Sequence, residues 1–117
     1  MPLEDLTQPA KLDLTIVSGD SFSREIIVEE SDGTPIDLSA YTGYAQIRTR
    51  PGGDLLATFT VVIDAPLGKV TISLTTTQTA ALPGKGVWDL ELNGGATNTH
   101  TIVTGCICVL PDVTEGP

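Results

Sequence analysis

The chain is 117 residues long and 40% hydrophobic, with six basic against fifteen acidic side chains and a formal net charge of −9 at pH 7. That length fits one domain with a core of its own, and the composition weighs against disorder over most of the chain. Scattered cations among excess acid weigh against a role on nucleic acid or an anionic membrane, both of which attract clustered Lys and Arg.

Residues 1–11 hold two prolines, three charges and no periodicity, which predicts an extended arm. The acidic opening Met1-Pro2-Leu3-Glu4-Asp5 lacks the basic start and apolar stretch of a secretory leader, and no apolar run reaches transmembrane length. Leu12, Leu14 and Ile16 alternate with Asp13, Thr15 and Val17 and predict a first strand, turned by Ser18-Gly19-Asp20. Phe22 to Glu29 predicts a second, with Phe22, Ile26 and Val28 inward. Arg24 falls on that apolar face and is expected near a strand end or paired with a carboxylate.

Asp32-Gly33 is a turn signal, and Pro35 rules out a central strand in the segment that follows. Asp37 or Ser39 can fold back on local amides, making a corner that plugs Ile36 and Leu38 into the core. Tyr44 to Arg50 predicts a third strand with Ala45 and Ile47 inward, closed by a Pro51-Gly52-Gly53-Asp54 loop. Leu55 to Ile63 is apolar on both faces, as in a central strand or one covered by a partner.

Lys69 to Leu92 organises the rest. Val70, Ile72 and Leu74 share one face of a strand; Thr75 and Gln78 match a capping box and predict one helical turn; Trp88, Leu90 and Leu92 then share the inner face of the next strand. Asn93 to Ala96 predicts a hairpin turn, and Thr99 to Leu110 the last strand, where Gly105 suggests a bulge or bend. Together these predict an all-β fold, an antiparallel Ig-like β-sandwich of about seven strands with one short helical turn. The domain spans 12–111, between the arm and a short polar tail, 112–117. Its expected fold-defining residues are Trp88, Leu90, Leu92, Val70, Ile72, Leu74, Phe22 and Ile47.

Chemistry is sparse. Cys106 and Cys108 sit two apart on one predicted strand, a poor geometry for a mutual disulfide, and read as free thiols of a reducing cytosol. A lone Cys-x-Cys has no second ligand pair, since His100 is the only histidine. Ser18 and Ser21 flank Asp20 without a positioned base. Asp89 and Glu91 alternate with apolar residues and read as a solvated strand face. Glu29, Glu30 and Asp32 lack the ligand spacing of a dedicated calcium loop. No enzyme, cofactor or metal is expected. Tyr41, Tyr44, Arg48 and Arg50 are the candidate interaction residues, Tyr41 also being suited to packing its corner.

The order of motifs from Leu14 to Thr114 resembles a family of small tailed-bacteriophage virion proteins and the N-terminal attachment domain of phage upper baseplate proteins. The residues that carry the likeness are Ser18-Gly19-Asp20-Ser21-Phe22, the Asp32 to Ser39 corner and Tyr41-Thr42 before Gln46-Ile47-Arg48. Further on they are the Gly68 to Leu74 strand, the Thr79 to Gly84 turn and the Trp88 to Leu92 strand. The resemblance implies a virion structural protein, made in the host cytoplasm, that binds other phage structural proteins in a symmetric assembly. In upper baseplate proteins a fibre or stalk follows this domain; here Pro117 ends the sequence, so a tail or baseplate adaptor is the expected role. A head decoration or cement protein would need the same fold, and a sugar-binding adhesion module on Tyr41 and Tyr44 is a third reading.

Overall fold

The computed structural model describes residues 9–29, 32–95 and 98–113. Two sheets pack face to face. The larger has six strands: β1 (Ala10–Lys11), β2 (Leu14–Val17), β4 (Thr42–Arg48), β5 (Leu55–Thr58), β8 (Lys85–Asn93) and β9 (Thr99–Leu110). Its order is β1-β9-β8-β4-β5, with β2 continuing β1 along the same edge of β9. The smaller sheet orders β3 (Phe22–Ile27), β7 (Lys69–Leu74) and β6 (Thr60–Asp64) as β3-β7-β6.

This is the expected β-sandwich, with two corrections to its wiring. First, β1 and β2 run parallel to β9, Ala10 beside Val103 and Leu14 beside Ile107. All other named strand pairs are antiparallel. The first strand leaves for the opposite sheet through the Ser18–Asp20 turn, so no hairpin dictates its direction. The end of the expected arm, Ala10 and Lys11, thus belongs to the sheet; residues 1–8 lie outside the described residues.

Second, the expected fourth strand divides at Phe59. Its first half, β5, edges the large sheet and its second half, β6, edges the small one, so it is not a central strand. The Phe59 amide still donates to the Ala45 carbonyl at 2.9 Å while its ring, 3% exposed, enters the core. A chain that changes layers turns first one side and then the other inward, which is why the segment reads as apolar throughout. This split and β1 bring the described strands to nine.

Val70, Ile72 and Leu74 from the small sheet meet Ala45, Ile47, Trp88, Leu90 and Leu92 from the large one, all buried, with Phe22 half-buried at the margin. The Phe59 ring touches both Phe22 and Trp88, with centroids 6.2 and 5.8 Å apart, in tilted and edge-on geometries that aromatic quadrupoles favour. Leu38, fully buried, plugs one side of the layers. Its corner is held as the sequence suggested: the Ser39 amide donates to Asp37 Oδ1 at 2.9 Å. At the preceding turn, the bond from the Thr34 amide holds the Asp32 carboxyl below its ordinary pKa.

Arg24 lies mid-strand in β3, exposed and without an ion pair among the described residues. Because β3 is an edge strand, a long side chain can swing past the rim to water, where it also discourages edge pairing.

The capping box forms in full: Thr75 Oγ1 accepts from the Gln78 amide at 3.2 Å, and Gln78 Oε1 from the Thr75 amide at 2.9 Å. The turn so fixed, α1 (Thr76–Ala80), aims the buried Thr79 hydroxyl at the Ser18–Asp20 turn. Thr79 Oγ1 accepts from the Gly19 amide at 3.0 Å, and its proton reaches the Asp20 carbonyl at 2.8 Å. Thr79→Val keeps the shape but strands both backbone groups, and is expected to cost about 1–3 kcal/mol. Urea unfolding with an unchanged m-value would measure it.

Gly105 is neither bulge nor bend. The register slips instead at Ile102, so that Ile102 and Val103 both turn into the core. Gly105 serves close approach: a Cβ there would stand 2.0 Å from the Leu12 carbonyl oxygen. That oxygen accepts from Trp88 Nε1 at 2.8 Å, while the Leu12 amide donates to the Thr104 carbonyl at 2.9 Å. Trp88 and Gly105 are direct cross-strand partners, so the first strand bends over the glycine to reach the indole.

Candidate docking surface

Because Trp88, Leu90 and Leu92 face inward, alternation turns Lys85, Val87, Asp89, Glu91 and Asn93 of β8 outward. Tyr44, Gln46 and Arg48 of β4 stand beside them: Tyr44 pairs with Glu91, Gln46 with Asp89 and Arg48 with Val87. On the other flank Thr104, Cys106 and Cys108 of β9 pair with Asp89, Val87 and Lys85. The outer face of the large sheet is therefore a mosaic of charged, hydroxyl, thiol and aromatic groups.

Two hollows share Gln46, Asp89 and Glu91. One, about 470 Å³, runs between Lys11 and Cys106 on one side and the Pro51-Gly52 loop on the other. The second, about 350 Å³, lies toward Tyr44 and Asn93. Arg48 forms part of the first, its guanidinium donating to the Gly53 carbonyl and to Gln46 Oε1, each at 2.9 Å.

Asp89 is half-buried rather than fully solvated, because strands flank β8 on both sides. That burial pushes its carboxyl pKa above 3.8, against the pull of Arg48. The native form then binds a proton more tightly than the unfolded chain. The resulting cost is present above the folded pKa and relieved as pH falls through it. Asp89→Asn is accordingly expected to stabilise slightly at pH 7, by well under about 1 kcal/mol at so open a site. Thermal melts of both proteins should converge below about pH 4.

Of the four interaction candidates, Tyr44 (54% exposed) and Arg48 share this face. Arg50 is exposed at the tip of the adjoining hairpin, where its carbonyl accepts from the Gly53 amide at 2.8 Å. Tyr41 packs half-buried against the core, its ring beside Gly94 and its hydroxyl near Asn98 Nδ2 at 3.5 Å. The two tyrosines therefore form no common platform, because Tyr41 turns inward at the corner while Tyr44 alternates outward.

Cys106 and Cys108 are exposed free thiols on the same outer face. His100 Nε2 meets Asn98 Oδ1 at 2.7 Å. No group of three or more His, Cys, Asp or Glu side chains able to hold a metal ion occurs among the described residues; Glu30, of the acidic turn, lies outside them, as do Ala96 of the last hairpin and residues 114–117 of the tail. Among the described residues no helix is long and apolar enough to cross a membrane. The hollows around Asp89 escaped the sequence reading, which carries no trace of the pairing that sets Gln46 beside Asp89. No family model matches the chain, and no curated protein sequence does either.

Proposed function

We propose that the protein is a structural subunit of a tailed-phage virion, a non-enzymatic adaptor of the tail or baseplate that holds a fibre or a neighbouring subunit through protein contacts. The observation that carries this reading is the ordered set of motifs resembling phage attachment domains. In this fold they fall on the framework itself: the Asp32 to Ser39 corner, the Thr79 to Gly84 turn that closes the capped helix, and the Trp88 strand. A framework motif carries a shape from protein to protein while leaving its surfaces free to vary. The open outer sheet face, with Tyr44 and Arg48 on it, supplies a surface suited to partners.

Mass spectrometry of purified particles should find the protein in multiple copies. Its absence from particles would refute the reading. Cryo-electron microscopy density at the tail supports the adaptor; density on the capsid would assign it to head decoration instead.

A further inference from the structure

The charges on the outer face of the large sheet are segregated along β8. Lys85 stands at one end with Arg48 beside the next outward position, and Asp89 and Glu91 occupy the other end. Neither Lys85 nor Glu91 is ion-paired among the described residues. Along β8 and β4 the surface is positive at one end and negative at the other, with Lys11 of β1 standing in the row of Asp89 at the flank; a stripe so divided complements a copy of itself turned end for end, which is what a two-fold contact demands.

We propose that this face is the contact between two copies of the chain, stacked with their strands antiparallel about a two-fold axis that crosses β8 at Trp88. Rotation about that axis sets Lys85 against the partner's Glu91, and Glu91 against the partner's Lys85. Along β4 the same operation carries Gln46 toward the partner's Arg48, and Tyr44 toward the partner's hairpin that follows β4. Next to the axis Val87 faces the partner's Asp89, and Cys106 the partner's Thr104.

The area suffices. Five strands abreast, spaced by roughly 4.8 Å and averaging roughly 25 Å in length when β1 and β2 are taken as one, give a face of roughly 600 Å² in plan. Side-chain relief brings that near the roughly 800 Å² that each partner of a standard stable complex buries. Each copy carries a net charge of −9, so the contact is best read near 0.15 M salt, where the Debye length is about 8 Å and bulk repulsion is screened.

Sedimentation velocity on the purified full-length protein, from low to roughly 100 μM concentrations, tests this. Wild type should reach twice the chain mass. Glu91→Lys and Lys85→Glu should each weaken the dimer by about tenfold or more, since each opposes like charges twice across the axis. The double variant carrying both changes should regain the dimer, because the pairs re-form with their signs exchanged. Wild type that stays monomeric would overturn the proposal and leave the face to another partner. A dimer indifferent to the single reversals, or not restored by the double one, would overturn it too. Circular dichroism and melting temperature verify the fold of each variant; Lys85→Gln and Glu91→Gln should each weaken the dimer less than the reversals, and their combination should not restore it. Particle composition reads the virion role independently, so either idea can fail alone.

Discussion

Trp88→Ala is expected to destabilise the protein by about 3–5 kcal/mol, a large share of the stability of a domain this size. The indole is 2% exposed, packs edge-on against Phe59 and donates its only polar hydrogen to the Leu12 carbonyl. Alanine removes the contacts, leaves a cavity between the sheets and orphans that carbonyl. Trp88→Phe separates these effects: it keeps most of the apolar volume and loses the hydrogen bond, for an expected cost nearer 1–3 kcal/mol, roughly. Asp89→Ala, one residue along and facing out, should cost well under about 1 kcal/mol. Chemical denaturation of the three variants checks the series, and equal small losses at positions 88 and 89 would contradict the inward register of β8.

Gly105→Ala should be the most costly change of a single methyl group. Its backbone is not in the left-handed region, so glycine is not needed for φ. The added carbon would instead meet a carbonyl oxygen at 2.0 Å and a carbonyl carbon at 2.6 Å, both from Leu12 backbone that cannot rotate away. The first strand must lift off β9 to admit it, breaking the Trp88–Leu12 bond on the way. A loss of about 2–4 kcal/mol is expected. Because both substitutions remove the same bond, Trp88→Phe and Gly105→Ala should be non-additive, the double variant losing less than the sum by about 1 kcal/mol. Strict additivity would show that the indole bond survives the alanine.

Much of this was legible from residue order. Thr75 and Gln78 announce their capping box because a cap is a four-residue affair, and Asp37 reaches an amide two places on for the same reason. The alternation through Val70–Leu74 and Trp88–Leu92 fixed two inner faces because side-chain period is a local property. What escaped was what depends on neighbours distant in sequence. Alternation reads the same in either direction, so nothing in Leu14–Val17 announces a parallel alignment with Ile107–Leu110. Phe59 changes sheets without a glycine or proline to mark it. Gly105 is small on account of Leu12, far off along the chain. Asp89 looked like open surface until its lateral neighbours were known.

The parallel alignment of the first and last strands has a mechanical corollary. Tension applied through the backbone before Ala10 and beyond Leu110 would try to slide these two strands past each other along their length. Hydrogen bonds loaded sideways in that way share the force and must yield together, whereas a hairpin peeled from its end gives way one rung at a time. Such a domain can sit in series within a strained assembly and stay folded at loads that would unzip an antiparallel terminal pair.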